Sequence, residues 1–104
     1  MQMSGKAPRQ KGDRLERKCV NLFKDSGIEA ERVPLSGSMG GSFAGDIQVP
    51  FGGQPKRPFE CKKRARAWKD LYDWIEPNYA LIIERDRSEP LVVVRLKDFI
   101  EVIK

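Results

Sequence analysis

The sequence predicts an α/β fold, with helices flanking a single mixed central β-sheet and elements in the order α-β-β-β-α-β-β-α. Three observations predict it. Apolar residues recur at helical spacing near the N-terminus and again after residue 65. Five short segments alternate or run apolar as strands do. Gly, Pro and Ser cluster between them. A chain of 104 residues holds material for one core, so residues 11–104 read as one domain preceded by a flexible basic arm at 1–10.

The first helix starts at Gly12, because Leu15, Cys19, Leu22 and Phe23 fall on one face, and it ends at Ser26-Gly27. Ile28 to Val33 reads as a short strand. Residues 34–44 hold three Gly and three Ser, which makes them a loop long enough to carry function. Gly45 to Phe51 and Arg57 to Lys63 are alternating segments around Gly52-Gly53-Gln54-Pro55, the grammar of a hairpin. Ala65 to Glu76 is a second helix with Trp68, Leu71, Tyr72 and Ile75 on its apolar stripe. Trp68 and Tyr72 are therefore expected in the core, and Trp74, off the stripe, at an interface. Tyr79 to Glu84 and Leu91 to Arg95 are apolar strands around a polar turn, and Lys97 to Lys104 closes as a helix.

Composition narrows the chemistry. There are 20 Lys+Arg against 15 Asp+Glu, a formal charge of +5, and no histidine. A Ser-His-Asp or Cys-His relay and a His-ligated metal site are thereby excluded. Any catalysis must use carboxylates, lysine, tyrosine, cysteine or metal-bound water. The charge is uneven: residues 1–20 and 56–70 are net basic, while 21–55 and 71–104 are net acidic. Two basic blocks meeting on one face would suit a polyanion, although runs of Lys and Arg are commonly just solvated. No apolar run reaches the roughly 20 residues of a membrane helix, and the N-terminus lacks a secretory signal, so the expected location is cytoplasmic. Cys19 and Cys61 lie on apolar faces, outside metal or CxxC spacing, and are expected as buried reduced thiols.

One constellation stands out. Side chains alternate along a strand, so Phe59 and Cys61 share one face and Glu60 and Lys62 the other. Ile47 and Val49 likewise oppose Asp46 and Gln48. If both apolar pairs face one core, cross-strand partners have numbers summing to 106 or 108. The first register sets Asp46 across from Glu60, the second across from Lys62. Pro50, Pro55 and Pro58 invite a bulge. Two carboxylates that close repel unless a cation lies between them, and Mg²⁺ suits such oxygen donors. Lys62 can then orient or deprotonate the attacking water and balance charge on the transition state. Glu16 borders the apolar stripe of the first helix and is the remaining candidate ligand.

Gly45-Asp46 followed at hairpin distance by Glu60-Cys61-Lys62 resembles the signature of the PD-(D/E)xK nuclease superfamily, whose fold is a restriction-endonuclease-like core. Lys11-Gly12, Glu16 and the segment with Arg32, Pro34, Ser36 and Ser38 narrow the resemblance to Holliday junction resolvase-like members of archaeal or phage type. That resemblance covers about Lys11 to Lys63. It implies that Glu16, Asp46 and Glu60 bind Mg²⁺, with Mn²⁺ as a substitute, that Lys62 is catalytic, and that Ser36 or Ser38 lies in a loop contacting the junction or the scissile phosphate. Gly45 stands where the signature has Pro, and the stretch after Lys63 is shorter than resolvases usually have.

The resulting expectation is a Mg²⁺-dependent endonuclease that resolves four-way DNA junctions as a homodimer, since paired cuts need two sites. Catalytic residues would be Glu16, Asp46, Glu60, Lys62 and Ser36. DNA would be held by Lys11, Arg14, Arg32, Ser38, Lys63, Arg64, Arg66 and Lys69, with Arg17 and Lys18 as further candidates. Rival readings are a nuclease of the same superfamily acting on flap or duplex DNA, a non-catalytic DNA-binding module on the same fold, and RNA as the substrate.

Overall fold

The structure, a computed structural model, describes residues 6–33 and 45–104, the first six of these by backbone alone. The α/β class holds, with three helices and five strands among the described residues. The strands form two antiparallel sheets, of three and two strands, instead of one mixed central sheet. Hairpins are local and readable from turn residues; which hairpin lies beside which is a long-range choice that local sequence does not encode. The chain divides into two compact units, residues 1–63 with 103–104 and residues 64–102.

In the first unit, α1 (Lys6–Asp25) begins six residues before Gly12, so Lys6 to Gln10 is helical instead of a flexible arm. Pro8 lies in the first turn, where its missing N–H has no helical acceptor to lose. The helix ends in a Schellman motif: Ile28 N–H reaches Phe23 O at 3.0 Å, and Gly27 N–H reaches Lys24 O at 2.9 Å. That tight exit turns Ile28 and Ala30 into the core, and it shortens the expected strand to β1 (Glu31–Arg32). β2 (Ile47–Phe51) pairs with β1 on one side and β3 (Gln54–Phe59) on the other.

The core of this unit is Val20, Phe23, Ile28, Ala30, Ile47 and Val49, all buried. Phe59 closes it, its ring edge-on to Phe23 at 6.0 Å and to Phe51 at 6.1 Å. Gly52 and Gly53, at φ +64° and +77°, make the two-residue turn between β2 and β3. Two consecutive positive φ values are those of a type I′ turn. Ile47 faces Phe59, Gln48 faces Pro58 and Val49 faces Arg57, the first of the two anticipated registers. A shift between Val49 and Phe51 absorbs Pro50, which has no N–H for the ladder.

In the second unit, α2 (Lys69–Ile75) packs against β4 (Ala80–Ile83) and β5 (Leu91–Val94), which form a hairpin, and α3 (Leu96–Ile103) follows. α2 is shorter than the Ala65–Glu76 helix expected. Trp68 precedes it with φ 66°, so the helical stripe cannot extend back through that residue. Trp68 is 42% and Tyr72 72% exposed, which corrects their expected core positions; Trp74 is exposed as expected. Arg95 finishes the helix by donating from Nη2 to Ile75 O and Glu76 O and from Nη1 to Asn78 O, taking up carbonyls that a helix end leaves unpaired. No helix among the described residues is long and apolar enough to cross a membrane.

Candidate active site

Asp46 sits one residue before β2, with its main chain held on both sides. Its N–H donates to Phe59 O at 2.8 Å, and its carbonyl accepts from Val33 N–H at 2.9 Å. The paired register ends with Ile47 opposite Phe59, so Asp46 and Glu60 each lie one residue beyond the last pair. The ladder itself stops at Phe59, so Glu60, Cys61 and Lys62 leave the strand in which they were expected. The Asp46 side chain accounts for that: Oδ2 accepts the Cys61 N–H at 2.6 Å, a donor that strand pairing would otherwise use. One carboxylate oxygen thus anchors the Glu60–Lys62 segment directly beside Asp46.

Within that segment Lys62 Nζ lies 2.9 Å from Glu60 Oε2, with both side chains more than half exposed. Glu16 lies on α1 and accepts from Arg32 Nε at 3.2 Å, while Arg32 Nη2 also reaches Asp13 Oδ1 at 3.1 Å. The Arg32 guanidinium, expected on DNA, is therefore engaged by two carboxylates. A fork with donors fixed in one plane suits such a pair. Arg14, Arg17 and Lys18 are exposed on α1, and Arg66 is exposed; Lys63 and Arg64 are exposed and each has a partner. Lys69 Nζ donates to Asp73 Oδ2 at 2.6 Å, and that bond raises its ammonium pKa. Ser36, Ser38 and the rest of the 34–44 loop, and the side chain of Lys11, lie outside the described residues.

Sequence reasoning passed over the contact between the two cysteines. Both are half-buried free thiols instead of fully buried ones, and each influences the pKa of the other. The only sequence signal was their shared place on apolar faces. Burial, with Cys19 and the charges of Asp46 and Glu16 adding to it, pushes the Cys61 thiol from 9.0 up to about 12. The Cys19 thiol is also raised, burial again leading. Glu16 and Asp46 thus both raise the pKa of the thiol that lies between Glu60 and Lys62. A thiol whose folded pKa is raised stabilises the fold below the unfolded pKa and loses that contribution as pH climbs through the folded one. The urea midpoint is therefore expected to fall between pH 9 and about 12, and less steeply in Cys61→Ser. Alkylation of Cys61 by iodoacetamide at pH 8 should be slower than that of free cysteine; an equal rate would contradict the burial.

Among the described residues no three Asp, Glu or Cys side chains converge as a finished metal cage. The acids engage cations and donors of the chain itself: Glu16 with Arg32, Glu60 with Lys62, and Asp46 with a main-chain N–H. The donor set is nonetheless all hard oxygen, with a lysine in contact. A family model described as "Phage putative PDDEXK endonuclease" matches residues 7–104.

The chain belongs to this PD-(D/E)xK endonuclease family.

No curated protein matches it, and no solved structure does. Within the PD-(D/E)xK signature the residue before the aspartate is Gly45, and its conformation explains the departure from Pro. Gly45 has φ +77°, and a Cβ there would lie 2.9 Å from Phe59 O. Proline is fixed near φ −65° and cannot adopt this turn. Gly45 gives up the signature residue and keeps Asp46 against the chain it anchors.

Proposed function

We propose that this nuclease is a metal-dependent endodeoxyribonuclease acting on branched DNA, a four-way junction first among substrates, and working as a homodimer in the cytoplasm. The observation that supports it most is the Asp46 carboxylate bonded to Cys61 N–H at 2.6 Å, between Glu60 and Lys62, which themselves meet at 2.9 Å. Asp46, Glu60 and Glu16 would hold Mg²⁺, or Mn²⁺ in its place, by carboxylate oxygens. Bound there, the ion would supply Lewis acidity toward the phosphate. Asp46 anchors the Glu60–Lys62 segment through the Cys61 N–H. Lys62 Nζ, paired with Glu60, stands ready to hold a water and to balance charge developing on the phosphate. Ser36 and Ser38 would contact the junction or the scissile phosphate from their loop, and the exposed cations Arg14, Lys63, Arg64 and Arg66 would grip phosphates. Two-fold cleavage calls for two copies. Trp74, 54% exposed, and Leu91 and Val92 on β5, 57% and 64% exposed, offer apolar surface for their contact.

The deciding experiment is cleavage of a four-way junction, a matched duplex and a flap, each with Mg²⁺, Mn²⁺ or EDTA. Paired nicks on the junction alone, absent in EDTA, are expected. Equal cutting of all three would point to a duplex or flap nuclease, and binding with no cut under any metal to a non-catalytic module.

A further inference from the structure

We propose that Arg32 is a positioning residue, which clamps Glu16 to β1, the strand whose next residue bonds the main chain of Asp46, instead of contacting DNA. The proposal rests on the nuclease reading above. Arg32 and Val33 are consecutive; the first holds the Glu16 carboxylate by its side chain, and the second holds the main chain of Asp46. The Arg32 side chain reaches Glu16 Oε1 from Nε at 3.2 Å and from Nη2 at 3.1 Å, while Val33 N–H holds Asp46 O at 2.9 Å. Arg32 also faces Ile47 across the β1–β2 ladder, one residue from Asp46. One short piece of chain thus references both acids to the same frame.

The second prong explains why the clamp is specific to one geometry. Asp13 and Glu16 are three residues apart on α1, so they share a face, and Nη2 reaches Asp13 Oδ1 at 3.1 Å while the guanidinium holds Glu16. A planar fork bridging two carboxylates fixes the rotation of each; the point charge of a lysine would fix neither. The three side chains are 26%, 30% and 14% exposed, so water screens them less than it screens a pair at the open surface. Both contacts on Glu16 fall on Oε1, and Oε2 has no hydrogen-bond or ion-pair partner among the described residues. A carboxylate held by one oxygen with the other turned loose is the arrangement by which an outer partner orients a metal ligand. With its positive charge set between two acids, Arg32 has little to offer a phosphate.

The test measures Mn²⁺ affinity by calorimetry, without DNA or turnover, for wild type, Glu16→Gln, Arg32→Gln, Arg32→Lys and Glu16→Gln/Arg32→Gln, with thermal melts confirming the fold. The expected result is a Kd for Mn²⁺ raised about 10–100-fold in both Arg32 variants, with no further rise when Arg32→Gln is added to Glu16→Gln. DNA affinity in EDTA and its dependence on salt should match wild type. If Arg32→Gln fails to fold, Arg32→Lys, which keeps the cation and loses the fork, is read in the same way. Unchanged Mn²⁺ affinity in folded Arg32 variants would overturn the clamp. So would losses that add in the double variant, or a salt slope that falls by about 1, the mark of a lost phosphate contact. Wild type that binds no Mn²⁺ would remove the metal-nuclease reading and the clamp with it, whereas wild type that binds while the Arg32 variants bind equally removes the clamp alone.

Discussion

Gly45→Ala is expected to lower folding stability by about 2–4 kcal/mol, a fall of roughly 10–20 °C in Tm for a domain of this size. Two effects add. A residue with a Cβ at φ +77° is strained by about 1–2 kcal/mol. The Cβ would also meet Phe59 O at 2.9 Å, Pro58 Cβ at 3.0 Å and Phe59 N at 3.1 Å, two of them main-chain atoms that cannot swing aside. Gly27 separates the effects, since it has φ +87° and a Cβ added there would meet nothing within 4 Å. Gly27→Ala should therefore show the strain alone, at about 1–2 kcal/mol. Thermal melts followed by circular dichroism compare the two; equal losses would mean that the chain at Phe59 yields without penalty. Because the crowded atoms belong to the strand opposite Asp46, cleavage by folded Gly45→Ala should fall as well.

Asp46→Asn should abolish metal-dependent cleavage, by about 10²–10³-fold or more, while leaving the fold in place. The amide oxygen of asparagine can still accept the Cys61 N–H, so the anchor of the Glu60–Lys62 segment survives and only the negative charge is lost. Asp46→Ala removes the acceptor too and should cost about 1–3 kcal/mol in addition. Lys62→Ala is expected to reduce cleavage about 10²–10⁴-fold. Its pair with Glu60 is exposed and contributes at most about 1 kcal/mol, so thermal melts should barely move. Cleavage on whichever DNA the wild type cuts, run beside melts of each variant, separates charge from scaffold. Full activity in Asp46→Asn would remove Asp46 from the chemistry.

Much of this arrangement was legible because it is local. The alternation of Ile47 and Val49 against Phe59, with two glycines at the turn, sufficed to confine the β2–β3 register to two choices, and the observed one is among them. The end of β3 was not legible, because it depends on a side chain: Asp46 takes the Cys61 N–H, and no propensity at Glu60 or Lys62 announces that. The fork from Arg32 to Asp13 and Glu16 was hidden for a similar reason, since ion pairs 16 and 19 residues apart leave no periodic trace. Helical spacing overestimated α2 because it counts side chains and cannot see the φ of 66° at Trp68. The pairing of whole hairpins into one sheet or two lies beyond any local pattern.

The type I′ turn at Gly52-Gly53 makes the Glu60–Lys62 segment sensitive to insertion and deletion at a distance. Only two residues separate paired Phe51 and Gln54, and one irregularity at Pro50 already takes up the odd residue in the hairpin. A single residue inserted at the turn would have to be swallowed by a second irregularity, or else Phe59 and Glu60 would exchange sides, sending an aromatic ring to solvent and a carboxylate into the core. Chain length at this tip is therefore tightly constrained by the packing of Phe59, which lies at the far end of β3.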